Sequence, residues 1–265
     1  TISAAHSLKI PTLLHESNAF PGKAVKMLSG KADTILVSFK DAQDRIRKGA
    51  NVVFTGTPVK IKKKEYSQQE KETILHKEGL NVDKPIVLAF GGSQGAKKIN
   101  DAIVEIIKNK LNENYQMIWA VGPKQYDGIK EELKKINIDI ENLEGIKALP
   151  YIYNMEELMN SVDVIVARSG AMTITEISNL GKPSILIPLP NVSHNHQLYN
   201  AKVLENVDAA KIILNDELTG TKLSEAIKEI VVTQDRMKKM GENALKVSTS
   251  NVEDKIYSEI KKLVK

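Results

Sequence analysis

Short apolar runs alternate with longer stretches of helical periodicity along this chain. Residues 12–15, 34–37 and 52–55 predict three strands, with a helix over 21–29 between the first two. A second series starts at 85. Apolar runs at 85–90, 117–121, 146–149, 162–166, 184–188 and 210–214 predict strands. Helical patterns at 96–110, 124–136, 155–160, 172–180 and 196–206 separate most of them, and helices fill the remainder. The strand runs are continuously apolar, as expected of strands buried on both faces. Strands alternating with helices therefore predict an α/β fold with parallel sheets covered on both sides.

Between the two series lies a charged stretch, 60–71, which contains Lys62, Lys63 and Lys64 in succession. It has two readings, a linker or the solvated start of a helix. Taken as a linker, it divides the chain into a short first unit over 1–59 and a full second unit over 60–245, followed by a helical segment over 246–265. Ile2 to Leu8 has the pattern of a helix already under way, and no initiator Met precedes it. The natural protein is therefore expected to begin upstream of Thr1.

Composition narrows the class. With 265 residues, 42% hydrophobic and 27% charged, the chain can bury a substantial core. It has no cysteine, which excludes disulfides, a thiolate nucleophile and cysteine-held metal, and fits a reducing cytoplasm. No run reaches the roughly 18 apolar residues of a membrane-spanning helix, and residues 1–7 do not have the pattern of a signal peptide. The formal charge of +5 fits either a Lys-rich solvated surface or attraction to an anionic membrane. Few aromatics and no Arg-rich run argue against nucleic acid as the partner.

Open parallel sheets bind ligands beyond the carboxyl ends of their strands, so the turns after strands are where chemistry is expected. Gly91-Gly92-Ser93-Gln94-Gly95-Ala96 follows a strand and opens a helix. Its glycines let backbone N–H groups approach a ligand at a helix N-terminus, which favours an anion; the alternative is a tight turn without a ligand. The spacing is neither GxGxxG nor a Walker loop, which disfavours a dinucleotide dehydrogenase. Arg168-Ser169-Gly170-Ala171-Met172-Thr173-Ile174-Thr175-Glu176 repeats the arrangement with added hydroxyls. Two such helix ends on one sheet suit a diphosphate. Glu176, one turn into its helix, is placed to accept from ribose hydroxyls, or else to complement the helix dipole. His194-Asn195-His196-Gln197, with Asn200 one turn on, offers hydrogen-bonding side chains for sugar hydroxyls. Two histidines at i, i+2 without a third ligand do not make a metal site. His15-Glu16-Ser17-Asn18 is a comparable polar cluster, or a turn in which Ser17 or Asn18 caps the next helix.

Taken together and in this order, His15 to Asn18, Thr55-Gly56-Thr57-Pro58-Val59, Gly91 to Ala96, Ser169 to Glu176 and Gln197 to Ala201 resemble the MurG glycosyltransferases over essentially the whole chain. The resemblance implies a GT-B fold, in which two Rossmann-like domains hold the donor between them and 246–265 packs back on the first. It implies transfer of N-acetylglucosamine from UDP-N-acetylglucosamine to the undecaprenyl-pyrophosphoryl-muramyl-pentapeptide lipid I, giving lipid II for peptidoglycan. The partners implied are the donor, lipid I and the inner face of the cell membrane, with no resident cofactor or metal.

Residue by residue, the resemblance places Asn18 at the N-acetyl sugar and Ser93 at the diphosphate. It places the Ile152 backbone at uracil, with Met155 nearby. Ala171, Met172, Thr173, Ile174 and Thr175 then line phosphate and sugar, Glu176 holds the ribose and Gln197 the sugar hydroxyls. Three positions depart from the family pattern. Ser17 stands for Gln, Thr57 for Asn, and Lys60 for an Arg that touches phosphate, keeping the charge but not the bidentate fork. The family's Gly-Gly-Thr-Gly-Gly-His loop, with its candidate base, does not occur here. The base is expected upstream of Thr1, and the chain alone is expected to bind donor better than it transfers sugar. A related glycolipid glycosyltransferase, a GT-B nucleotide-sugar epimerase, and a donor-binding subunit that needs a membrane-side partner are the other functions compatible with these motifs.

Overall fold

The computed structural model describes residues 1–190 and 195–264. Two parallel sheets organise it. The first has three strands in the order β1 (Leu13–Glu16), β2 (Thr34–Val37) and β3 (Val52–Phe54). Its small core comprises Ile35, Val37, Ala42 and Ile46. The first helix, α1 (Ile2–Ser7), buries none of its residues, and α2 (Lys23–Leu28) follows β1. The second sheet has six strands: β4 (Ile86–Phe90), β5 (Gln116–Ala120), β6 (Ile146–Leu149), β7 (Val164–Ala167), β8 (Ser184–Leu186) and β9 (Ala210–Ile212). Their order across the sheet is β6-β5-β4-β7-β8-β9, all parallel.

This order explains the unbroken apolar strands. Along β4, Val87 and Ala89 face one core while Ile86, Leu88 and Phe90 face the other. Helices α4 (Lys97–Lys108) and α9 (Gly220–Val231) supply Ile99, Ile103, Leu223 and Ile227 to the first core. Helices α6 (Met155–Ser161), α7 (Ala171–Leu180) and α8 (His196–Glu205) supply Leu158, Ile174, Ile177 and Leu204 to the second. A period of two along each strand thus feeds two separate cores. The remaining α-helices among the described residues are α3 (Gln68–Lys77), α5 (Pro123–Lys134), α10 (Gln234–Leu245) and α11 (Val252–Leu263).

The charged stretch 60–71 combines its two readings. Residues 60–66 form neither helix nor strand, while a Ser67/Glu70 capping box starts α3. The irregular part is docked rather than free. Asn160 of α6 accepts from Lys64 N–H at 2.8 Å and donates to Lys62 C=O at 3.1 Å, and Lys64 pairs with Glu156 at 2.7 Å. The half-buried Lys182 donates its ammonium hydrogens to the Asn160 and Val162 carbonyls at the end of α6. Burial lowers its pKa to about 8.

Neither Ser17 nor Asn18 caps α2, which has Gly22 as its N-cap and no side-chain cap. Buried Glu16 accepts from Asn18 N–H at 2.9 Å and Gly22 N–H at 2.7 Å, and Gly22 is the N-cap of α2. A carboxylate can take both donors with its two oxygens, whereas a Ser hydroxyl at position 17 instead lies beside His15 Nδ1 at 3.4 Å.

Candidate functional site

Strand order reverses between β4 and β7, and the carboxyl ends of these two strands carry the two turns singled out above. An open α/β sheet forms its ligand crevice at this switch point. A cleft of about 560 Å³ lies there, walled by Gly91, Gly92, Gly95 and Lys98 on one side and Arg168, Gly170, Thr173 and Gln197 on the other.

The β4–α4 turn is shaped by backbone packing. Gly95 has φ +76°, and a Cβ there would sit 2.2 Å from the Val121 carbonyl oxygen. Only glycine accepts both the conformation and the contact. The turn is fixed from below by a buried amide. Asn100 Nδ2 donates to Val121 C=O at 2.8 Å and to Gln125 at 3.0 Å, while its Oδ1 accepts from Trp119 Nε1 at 2.9 Å. Every polar group of this Trp–Asn pair is thereby matched inside the core. Ser93 is exposed at the tip, outside the cleft lining.

The β7–α7 turn works through side chains. Gly170 caps α7 in an ordinary extended conformation, φ −61° and ψ 146°. Arg168 enters the cleft with Nη1 donating to the Ile187 carbonyl at 3.1 Å, and burial lowers its pKa from the usual value. Ser169 is fully buried, and its hydroxyl has no partner among the described residues. Thr173 lines the cleft and Met172 is exposed, whereas Ile174 is fully buried in the core. The Thr175 hydroxyl donates to the Ala171 carbonyl at 2.9 Å, one turn back in the same helix. Half-buried Glu176 has its pKa raised to about 7 by desolvation alone. A carboxyl group desolvated without a cation is poised to gain from hydrogen-bond donors supplied by a ligand.

The other expected residues are placed as follows. Gln197 lines the cleft, its Oε1 accepting from Leu189 N–H at 2.9 Å. His194 lies outside the described residues. Ile152 is 4% exposed in the second core, with Met155 packed against the same cluster. Lys60 is exposed at the start of the docked stretch, outside the cleft lining. Asn18, also outside that lining, is held across the two sheets by Asn200 Nδ2 at 3.1 Å. Asn200, expected at sugar hydroxyls, is fully buried and hydrogen-bonded to protein groups. Sequence reasoning gave no role to Arg168, Lys98 or Asn100. Position directly after a strand could have flagged Arg168, but nothing local marks Asn100, whose partners lie 19 to 25 residues away.

Comparisons with known proteins agree with this geometry. The Glycosyltransferase family 28 C-terminal domain matches residues 86–256. The chain is 40% identical over 265 residues to the UDP-N-acetylglucosamine–N-acetylmuramyl-(pentapeptide) pyrophosphoryl-undecaprenol N-acetylglucosamine transferase of Acetivibrio thermocellus, covering 98% of this chain and 69% of that protein. It is 41% identical over 254 residues to the same-named protein of Thermoanaerobacter sp., covering 96% of this chain and 68% of that one. The crystal structure of Acinetobacter baumannii MurG superposes with a TM-score of 0.77 at 26% identity, over 98% of this chain and 70% of that one. The parallel α/β architecture is that of the GT-B glycosyltransferases. The chain belongs to the MurG family of glycosyltransferases.

Proposed function

We propose that this protein transfers N-acetylglucosamine from UDP-N-acetylglucosamine to lipid I, forming lipid II. The observation that carries the donor half is the pair of helix-opening turns at the β4/β7 reversal, with Arg168 between them and Glu176 one turn further on. The diphosphate sits between the N-termini of α4 and α7. Glu176 accepts from the ribose hydroxyls, Gln197 and Thr173 meet the sugar, and the Ile152 backbone meets uracil. Among the described residues, neither the N–H nor the C=O of Ile152 has a hydrogen bond within the protein, which leaves both for the base.

The acceptor hydroxyl attacks the anomeric carbon as the bond to UDP breaks, and negative charge develops on the departing diphosphate. Preorganised N–H groups and Arg168 stabilise that charge where it forms, whereas Lys60, outside the cleft lining, does not take the phosphate role that the resemblance implies for it. No resident cofactor enters the reaction. The base that takes the acceptor proton is not assigned among residues 1–265. A lipid-borne acceptor brings the protein to a membrane surface, and the family resemblance implies the cytoplasmic face. No helix among the described residues is long and apolar enough to cross it, and the charge of +5 favours an anionic lipid surface.

Calorimetric titration with UDP, UDP-N-acetylglucosamine and NAD tests the donor site. Binding of the first two and not the third is expected, and the reverse would exclude the assignment. Conversion of labelled lipid I in the presence of UDP-N-acetylglucosamine tests the transfer, and co-sedimentation with anionic vesicles tests the membrane contact.

A further inference from the structure

Asn200 is completely buried on α8, three residues after Gln197, and its amide connects the two sheets. Oδ1 accepts from the Ala19 N–H at 2.8 Å. Nδ2 donates to Asn18 Oδ1 at 3.1 Å and to the Ser169 carbonyl at 3.2 Å. The turn after β1 is thereby tied directly to the turn after β7. The same two regions are also held by packing next door. Phe20 stacks on Tyr199 with centroids 4.6 Å apart. The Arg45 guanidinium lies 4.9 Å from the Tyr199 ring and donates to the Ala19 carbonyl at 2.7 Å.

The aromatic interlock supplies apolar contact, which is non-directional. The amide supplies direction. A hydrogen bond inside a protein adds little net stability, but it fixes the orientation of its partner. Here the partner is the Asn18 side chain, held at both ends: Nδ2 donates to Glu16 Oε1 at 3.0 Å, and Oδ1 accepts from Asn200. A carboxamide has two N–H groups and two acceptor lone pairs. One N–H and one lone pair of Asn18 therefore remain, in an orientation set by Glu16 and Asn200.

We propose that Asn200 is a positioning residue for donor-sugar selection. It orients the Asn18 amide so that the remaining N–H and lone pair match the C=O and N–H of the sugar's acetamido group. This rests on the proposed UDP-sugar reading and on the resemblance that places Asn18 at the N-acetyl sugar; Asn18 lies beside the cleft lining, bonded to Asn200, which also holds the Ser169 carbonyl next to Gly170 of the cleft wall. Asn200 touches no ligand itself; its effect passes through Asn18 and the Ser169 backbone.

The test is calorimetric titration of the wild-type protein, Asn18→Ala, Asn200→Ala and the double variant with UDP, UDP-glucose and UDP-N-acetylglucosamine. UDP affinity is expected to stay within about twofold for Asn200→Ala, while the preference for UDP-N-acetylglucosamine over UDP-glucose falls about tenfold, the equivalent of one hydrogen bond. The double variant should lose no more preference than Asn18→Ala alone, because both changes remove one coupled interaction. Additive losses, equal weakening of UDP and both UDP-sugars by Asn200→Ala, or a wild-type protein with no preference would each overturn the inference while leaving the donor assignment standing. A wild-type protein that ignores UDP would instead remove the donor assignment beneath it. If Asn200→Ala unfolds, the similarly sized Asn200→Leu carries the same test, since it fills the site without an amide to orient Asn18.

Discussion

The two turns that wall the cleft differ in how they are built. The β4–α4 turn is a backbone device: a left-handed glycine pressed on a neighbouring carbonyl, anchored by a buried Trp–Asn pair. The β7–α7 turn is a side-chain device: its glycine is unstrained, Arg168 and Thr173 line the cleft, and Glu176 is half-buried one turn into the helix. Similar sequence signatures, glycine and hydroxyl residues between strand and helix, thus perform different tasks. In the first, substitution should disturb folding; in the second, ligand recognition.

The sharpest contrast is Gly95→Ala against Gly170→Ala. A Cβ at Gly95 meets the Val121 oxygen at 2.2 Å in a left-handed conformation, whereas at Gly170 the nearest atom is Thr173 Oγ1 at 3.9 Å. Left-handed strain plus overpacking costs about 2–4 kcal/mol for Gly95→Ala. Thermal unfolding should show this as a fall in Tm of about 5–15 °C. Gly170→Ala should cost less than about 1 kcal/mol, the scale of an altered N-cap. Equal losses of stability at both positions would erase the distinction.

Next in size is Glu176→Ala. It should weaken UDP by about 1.5–3 kcal/mol, the range for hydrogen bonds to a charged group, while barely changing the affinity for pyrophosphate, which has no ribose. Parallel losses for both ligands would move Glu176 off the ribose.

The pH dependence of binding follows from the same carboxyl. Desolvation raises its pKa to about 7, so in the free protein it is largely protonated below that pH. Ribose hydroxyls donate to the ionised form. Affinity for UDP-N-acetylglucosamine, whose diphosphate stays ionised throughout, should therefore rise up to about tenfold from pH 6 to pH 8. Glu176→Gln should flatten the profile. The stability effect has the opposite sign. With its folded pKa raised, the group favours the native state below its ordinary value of 4.5, and that contribution is lost as pH rises through about 7. Denaturant unfolding of the wild-type and Glu176→Gln proteins at pH 5 and pH 8 measures the difference.

The smallest expected effect is at Ser93. Its side chain is exposed at the tip of a turn that acts through backbone N–H groups. Ser93→Ala should weaken UDP by less than about 1.5 kcal/mol, the scale of one neutral hydrogen bond. A loss as large as that of Glu176→Ala would make the first turn a side-chain device as well.

Much of the second unit is legible in the linear sequence, because local signals there agree with one another. The apolar runs at 146–149 and 184–188 form strands over Ile146–Leu149 and Ser184–Leu186, and the helical pattern at 172–180 forms Ala171–Leu180. Both turns at the cleft were visible because glycine between strand and helix is a short-range signature. Strand order is different in kind: no local pattern states that β4 and β7 are neighbours, and this pairing alone brings Gly91 to Ala96 opposite Arg168 to Thr173.

By itself, the sequence determined the α/β class, the alternation of elements, the two glycine-containing strand-to-helix turns and the family resemblance. Each depends on residue type and spacing within a few tens of positions. Only the tertiary structure decided that Ile174 faces the core rather than the cleft, that Asn200 is buried against Ala19 and Asn18, 181 and 182 residues away in sequence, rather than free for a sugar, and that Glu16 rather than Ser17 or Asn18 takes the backbone donors of its turn. It also raised Glu176 towards neutral pH, because desolvation depends on which distant atoms exclude water. Burial and hydrogen-bond partners are long-range properties, set by where the chain returns in space and not by the residues on either side.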